Sequence, residues 1–252
     1  MRGKILILFF VSIISTFSNV LNAGDSHELQ LITEEWAPYN YLDGKKISGF
    51  SVEVVRAVME ELGDDYPVQV YPAARGILML DNMPNIMNFS IFRTPERESK
   101  YKWIGPLSDD AVFFYKRKYE PRIFSSINDI KSVNAVSVPA SGVILSYVEK
   151  QGITRLTKSQ KKEHQLTLLL KGRVDLFIGV TPLGLSYYLK KINAPADSVV
   201  KTQVKLLRFP LYIACSKEIP DSVIDKWQSA LNKVKSSGRY QQIYNKYLLN
   251  RH

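Results

Sequence analysis

The chain has 252 residues and carries 34 Lys and Arg against 24 Asp and Glu, a formal net charge of +10 at pH 7. Its length buries enough apolar surface for one large domain or two small ones, and the single cysteine, Cys215, excludes an intrachain disulfide. The basic residues are dispersed in short runs, such as 116–118 and 158–162, which are typical of solvated faces, so we expect no nucleic-acid partner. A positive field that attracts anionic small molecules is the functional interpretation of this charge.

The first residues have the layout of a secretory signal peptide. Arg2 and Lys4 precede an apolar run, residues 5–11, that continues to Phe17. The run is interrupted by Ser and Thr and is too short to anchor stably across a bilayer core about 30 Å thick. We expect cleavage after Ala23 and export to the periplasm of a free chain with a charge of about +8. A retained N-terminal anchor is the alternative.

Beyond the signal, strand-like and helix-like patterns alternate, which is typical of an α/β fold with mostly parallel sheets. Apolar alternation or short apolar runs predict strands at 29–31, 68–70, 86–91 and 111–115. Apolar residues at helical spacing predict a helix over 50–62, with Ser51 as its N-cap and Gly63 as its stop. The order strand, loop, helix is the repeating unit of such a fold.

The strand, loop, helix order begins again near residue 136, and we expect a second lobe to start with this repeat. The predicted elements are a strand at 136–138, a helix from Ser141, a helix over 165–171, a strand at 174–180, a helix from Pro182, strands at 199–204 and 211–215, and two C-terminal amphipathic helices around 224–234 and 240–247. No linker-like composition separates the lobes. Crossing strands are therefore expected to form the hinge.

Five short motifs follow one another in an order that covers nearly the whole mature chain. They are Glu35–Tyr39 (EWAPY), Gly49–Glu53 (GFSVE), Thr94–Arg97 (TPER), Trp103–Leu107 (WIGPL) and Ser237–Tyr240 (SGRY). Together they resemble the extracellular solute-binding proteins of family 3, of the polar amino-acid type that serves ABC transporters. The resemblance implies a two-lobe periplasmic-binding-protein fold of type II, with a mostly parallel sheet flanked by helices in each lobe and a two-strand hinge. The expected limits are 1–23 for the signal peptide, 24–110 for the first part of lobe 1, 111–206 for lobe 2 and 207–252 for the return to lobe 1.

The resemblance also implies the function. We expect a periplasmic monomer that captures a small carboxylate-bearing, amino-acid-like solute between closing lobes and delivers it to an inner-membrane ABC permease. No catalytic residue, cofactor or metal is expected, because His27, His164 and His252 are scattered without ligand spacing and no nucleophile motif occurs.

Arg97 is the residue to which the resemblance assigns the ligand's carboxylate, and a guanidinium offers a fork of donors that matches two carboxylate oxygens. A surface arginine in a turn with two glutamates is the alternative. Trp36 lies at the position where, by the resemblance, an aromatic side chain packs on the ligand. The alternative role for Trp36 is a hydrophobic staple before the first helix. Ser90 and Phe92 lie on the strand that leads to Arg97, where the resemblance implies polar contacts with the ligand. Phe92 departs from that pattern and makes this side of the pocket more apolar.

The second lobe contributes Ser141 and Gly142, which begin a helix whose amides would receive an anionic group; plain N-capping is the alternative. Val180 occupies the position at which the resemblance implies an acidic residue for the ligand's ammonium. Glu34 or Glu35 in the first lobe is the substitute for that acid, or else both are solvated.

Arg75, in the segment YPAAR, resembles an arginine found in one branch of the family. A second cation near the cleft would favour a dicarboxylate or an otherwise anionic solute. A structural salt bridge is the alternative role for this arginine.

Two other functions stay open at this stage. One is an enzyme, since the fold also resembles periplasmic cyclohexadienyl dehydratase; Glu34 or Glu35 would then act as a general acid with a raised pKa. The other is a sensor subunit that docks on a membrane receptor and reports the ligand.

Overall fold

The structure is a computed structural model that describes residues 28–208 and 210–248. The predicted signal peptide lies outside the described residues. In the described ranges no helix combines the length and the apolarity needed to cross a bilayer.

The described residues form short strands and helices that alternate along much of the chain. The strands are β1 (Gln30–Thr33), β2 (Tyr41–Asp43), β3 (Lys46–Ser48), β4 (Val68–Val70), β5 (Ile86–Phe92), β6 (Lys102–Ser108), β7 (Ala111–Arg117), β8 (Val136–Pro139), β9 (Leu156–Ser159), β10 (Leu176–Ile178), β11 (Val199–Arg208) and β12 (Leu211–Cys215). The helices are α1 (Phe50–Leu62), α2 (Ala73–Asn82), α3 (Pro95–Glu98), α4 (Ile127–Lys131), α5 (Val143–Lys150), α6 (Lys162–Leu170), α7 (Pro182–Lys191), α8 (Asp221–Ser236) and α9 (Arg239–Leu248).

Two five-stranded sheets organise the described part of the chain. The first has the order β4-β1-β5-β12-β6, the second has the order β11-β7-β10-β8-β9, and a small hairpin, β2–β3, lies apart from both. Three adjacent strands of each sheet are parallel, namely β4-β1-β5 and β10-β8-β9, and the remaining pairings are antiparallel. The predicted α/β architecture with one sheet in each of two lobes is confirmed, with helices on both faces of the sheets.

The antiparallel strands connect the two sheets. β6 of the first sheet leads through residues 109–110 into β7 of the second, and β11 of the second sheet is followed by β12 of the first. β11 pairs with β7 as far as Arg208, which lies opposite Ala111. At the crossings, the guanidinium of Arg208 donates to both carboxylate oxygens of Asp109. Segments that connect two lobes in this way are where a hinge between them is expected.

Successive residues of the buried strands face different cores. Leu31 of β1 packs with α1, α8 and α9, whereas Ile32 packs beneath α2. In the second lobe Phe177 and Ile178 of β10 likewise belong to different clusters. Because alternate side chains of a strand point to opposite faces of the sheet, an apolar run without polar gaps marks a strand covered on both sides.

The start of α1 corrects one prediction. Gly49, at φ 130°, is the N-cap, and Ser51 is a buried helical residue whose hydroxyl makes no capping bond. The predicted stop is right, because Gly63 adopts a left-handed conformation and closes the helix.

Asp110 occupies the first crossing and is largely buried. The phenol of Tyr244 donates a hydrogen bond of 2.9 Å to Asp110 Oδ1. Burial raises the pKa of Asp110 to about 6, against the opposing effect of the hydrogen bonds from Tyr244 and Tyr39, and the neighbouring charge of Asp109 raises it further. The folded protein therefore favours the protonated acid more strongly than the unfolded chain does.

This shift predicts how stability depends on pH. Between pH 4 and pH 7 the folded state must ionise a buried carboxyl that is already ionised in the unfolded chain, so the free energy of unfolding falls as pH rises. An Asp110→Asn variant lacks this titration and should gain roughly 2–3 kcal/mol relative to wild type across that interval. Urea unfolding of both proteins at several pH values measures the difference. Parallel pH profiles would contradict the assignment.

Candidate ligand-binding site

Two cavities flank the turn that carries Trp36. The Arg97 cavity, about 130 Å³, is lined by Thr33, Glu34, Tyr71, Ala73, Gly76, Ile77, Asn88, Ser90, Ile91, Phe92 and Arg97. The Lys162 cavity, about 260 Å³, is lined by Trp36, Ala37, Pro38, Tyr39, Val112, Pro139, Ser141, Gly142, Val143, Ile144, Lys162, Gly179, Val180, Thr181, Gly184 and Tyr188. The first belongs to the first sheet and its helix α2, whereas the second lies between the Trp36 turn and the second lobe.

Arg97 lies on the short helix α3, which follows the end of β5. Its guanidinium donates to the carbonyl oxygen of Phe92 at 3.3 Å, which holds the side chain against the cavity wall. The neighbouring Arg93 is engaged elsewhere, because it pairs with Glu98 and lies 5.7 Å above the ring of Trp103. Arg97 is therefore the arginine of this turn that is placed to receive a carboxylate.

Glu34 faces Arg97 across the same cavity. Burial raises the pKa of Glu34, and the positive charge of Arg97 lowers it in part. Glu35 is exposed and lines neither cavity. The sequence allowed either Glu34 or Glu35 as the acid near the ligand. The structure places Glu34 in the same cavity as Arg97.

Ser90 and Asn88 contribute polar groups to the floor of the Arg97 cavity. Ser90 adopts a left-handed backbone at φ 66°, and its hydroxyl bonds to the side-chain oxygen of Asn40. Asn40 in turn donates to the carbonyl oxygen of Glu34, so this serine supports the Trp36 turn. Asn88 is 3% exposed, and its side-chain oxygen has no hydrogen-bond partner among the described residues. The oxygen is itself buried, so Asn88 shapes the floor of the cavity and its oxygen is not exposed to the cavity.

Trp36 and Phe92 lie where the two cavities meet. Their ring centroids lie 5.5 Å apart in an edge-to-face arrangement, with Trp36 lining one cavity and Phe92 the other. Both side chains pack against the core clusters of both lobes. Tyr39, 5.1 Å from Trp36, shares a hydrogen bond of 2.7 Å with Thr181 of the second lobe. The aromatic turn thus lies at the junction of the lobes.

Ser141, Gly142 and Val180 meet in the Lys162 cavity rather than beside Arg97. Val180 is 7% exposed, and Gly184 lies so close that a Cβ there would meet the Val180 Cβ at 2.9 Å. Lys162 joins them, and burial lowers its pKa to about 8. The interpretation of 158–162 as a solvated run is wrong for this residue, because Lys162 turns into the cavity while Lys161 is exposed.

Arg75 is exposed on α2 and lies 4.7 Å above the ring of Tyr71, which itself lines the Arg97 cavity. The structure therefore brings together Arg97, Ser90 and Phe92 in one group and Trp36, Ser141, Gly142 and Val180 in another. It adds Glu34, Asn88 and Lys162. Glutamate, asparagine and lysine are residue types that commonly bind ligands. However, no local sequence pattern predicts which polar residues face a cleft.

Comparison with known proteins identifies the family. A family model described as bacterial extracellular solute-binding proteins, family 3, matches residues 29–250. The chain belongs to this family, which confirms the resemblance seen in the motifs. It is 24% identical over 237 residues to the Probable amino-acid-binding protein YxeM of Bacillus subtilis (strain 168), a match that covers 91% of this chain and 84% of that one.

Solved structures share the fold. Substrate-binding domain 2 of GlnP from Lactococcus lactis, in an open conformation, superposes with a TM-score of 0.73 at 14% identity, covering 89% of this chain and 97% of that one. An ancestral cationic amino acid solute-binding protein gives a TM-score of 0.72 at 18% identity, with coverages of 87% and 95%. At such identities the likeness establishes the two-lobe architecture.

The close contact between Gly49 and the Trp36 turn predicts how a substitution at Gly49 changes stability. A Cβ on Gly49 would lie 2.3 Å from the carbonyl oxygen of Tyr39, and the φ of 130° disfavours any side chain. Gly49→Ala should therefore displace the turn and lower the free energy of unfolding by roughly 1–3 kcal/mol, measured by urea denaturation.

Gly44→Ala is the matched control. Gly44 also has a positive φ, 63°, but its Cβ position has no atom within 4 Å. Its substitution should cost roughly 1 kcal/mol, from backbone strain alone. Equal losses in the two variants would show that the contact with Tyr39 does not constrain the turn.

Proposed function

We propose that the protein is a periplasmic solute-binding protein that captures a small carboxylate-bearing, amino-acid-like solute and delivers it as a monomer to an inner-membrane ABC importer. The lobes proposed to close on the solute are residues 24–110 together with 207–252, and residues 111–206. The basic net charge favours the arrival of anionic solutes.

The observation that carries the proposal is the placement of Arg97. Its guanidinium lines the same cavity as the carboxyl group of Glu34. This arrangement offers donors for a carboxylate and, within the same small volume, one acidic acceptor for an ammonium or a hydroxyl. We infer that Glu34 replaces the acid that is missing at position 180.

The relatives support the binding role. The name of the Bacillus subtilis relative describes an amino-acid-binding protein, and GlnP contributes a substrate-binding domain of the same fold. The position of Trp36, packed against the cores of both lobes, is consistent with a solute-binding role for this chain. Trp36 packs against both cores, so a solute that packs on it would touch both lobes and its binding would favour their closure.

An enzyme on the same scaffold is the second candidate, and Glu34 is the observation that favours it. Its raised pKa beside Arg97 suits a general acid that acts on a bound carboxylate substrate. Incubation of the protein with prephenate, followed by ultraviolet detection of aromatic product, separates the two functions. Turnover that is lost in Glu34→Gln would replace the binding proposal.

Arg97→Ala tests the binding role directly. The variant should retain the fold but lose at least roughly 100-fold in affinity for any carboxylate ligand found by thermal shift, since a charge-assisted bidentate pair is lost. Calorimetric titration of that ligand measures the loss.

Arg173→Ala is the control, because it removes the same charge from an exposed position of the second lobe. It should bind as wild type does. Wild-type affinity in Arg97→Ala, with circular dichroism unchanged, would refute the carboxylate assignment.

A further inference from the structure

Lys162 is the one charged residue among the described side chains that line the Lys162 cavity. It is the first residue of α6 and is partly buried between the aromatic turn and the second lobe. Its lowered pKa, about 8, leaves the ammonium mainly protonated at neutral pH. The cavity therefore contains a positive charge.

Among the described residues, no acidic group compensates this charge. Across residues 28–208 and 210–248, no ion pair or hydrogen bond engages the Lys162 ammonium. Glu163, the next residue, pairs with Lys191 at 2.7 Å. Gln165 is fully buried nearby, and its side-chain oxygen is without a partner, but an amide oxygen is neutral. A partly buried charge without a counter-ion is stabilised when a ligand supplies one.

The backbone around Lys162 is shaped to hold the ammonium. Gly179, at φ 152°, lies so close that a Cβ there would be 2.7 Å from Lys162 Nζ and 3.3 Å from the side-chain oxygen of Gln165. A larger residue at 179 would push the lysine away. The glycine thus creates the space in which the charge faces the cavity.

The start of α5 faces the same cavity. Ser141 and Gly142, with the first two residues of the helix, are part of its lining. The first amides of a helix have no intrahelical acceptor, and the helix dipole adds partial positive charge there. Two independent sources of positive potential therefore converge on one cavity.

The rest of the lining does not favour a cationic group. None of the described residues that line this cavity is Asp or Glu, and Val180 and Trp36 present apolar surface. An ammonium that entered here would meet Lys162 without an acidic partner. An anion would gain a charge-assisted hydrogen bond beside apolar side chains.

We propose that the solute carries a second anionic group, which enters the Lys162 cavity and pairs with Lys162. This inference rests on the proposed function, in which Arg97 holds the first carboxylate. The solute class is then a dicarboxylate or an acidic amino acid, rather than a neutral or basic one.

Two series of probes test the inference. In the first, glutarate is compared with its monoamide and with 5-aminopentanoate; in the second, L-glutamate is compared with L-glutamine and L-ornithine. Within each series the backbone length is shared while the distal group is an anion, a neutral amide or a cation. Adipate and pimelate extend the length. Calorimetric titration should show the dianionic member binding roughly tenfold or more tightly than its monoamide, and the cationic member binding most weakly.

Lys162→Met should remove this discrimination. The dianionic probe should weaken to the affinity of its monoamide, while the monoamide itself changes less than about twofold. Lys161→Met, the exposed neighbour, should keep the wild-type ratio, and Lys162→Arg should restore it in part. Tighter binding of the cationic probe in wild type, or an unchanged ratio in Lys162→Met, would overturn the inference.

The design separates this inference from the proposed function. Arg97→Ala should abolish binding of both the dianion and the monoamide, whereas Lys162→Met should abolish only their difference. Sulfate at constant ionic strength gives a readout that needs no organic ligand. It should raise the melting temperature of wild type and Lys161→Met more than that of Lys162→Met. An equal rise in all three proteins would count against an anion site at Lys162.

Discussion

The close backbone contact between the Trp36 turn and the start of α1 is the constraint on which both cavities depend. Gly49 allows the Tyr39 carbonyl to lie where a Cβ would otherwise be, and the amide of Ser51 donates to that carbonyl at 2.9 Å. Asn40 anchors the far side of the turn through Ser90 and the carbonyl of Glu34. Because the turn is fixed at both ends, Trp36 is held where it contacts both cores.

The two cavities that meet at Trp36 and Phe92 each contain one basic side chain among the described residues. Arg97 lies in the first lobe with acceptors around it, and Lys162 lies in the second lobe with apolar neighbours and a helix start. The two cations differ in environment, since Arg97 is balanced by Glu34 whereas Lys162 lacks a counter-charge among the described residues. On the proposal made above, a solute with anionic groups at both ends is therefore expected to bind better than one whose ends have opposite charge.

The fold was predictable where the pattern was strong. Buried apolar strands such as β5 and β10, and the amphipathic helices α1 and α8, follow from periodicity because one face of each must leave water. Weak local signals account for the elements that were missed. β6 contains Gly105 and Pro106, which disfavour a strand, and its place is secured by pairing with β12. The helices α2, α3 and α4 are short and derive their stability mainly from packing.

By itself the sequence determined the family and the two-lobe architecture, and it singled out the segments around Trp36 and Arg97 as candidates, because these depend on motifs and periodicities that are local. Only the tertiary structure decided that Glu34 rather than Glu35 faces Arg97, that Val180 belongs to the other cavity, and that Lys162 leaves its basic run to enter that cavity. The physical reason is that α6 begins at Lys162, three residues before the predicted start, and helix phase sets which lysine points inward. Which charged side chains are buried, and which groups they pair with, depends on how the whole chain packs.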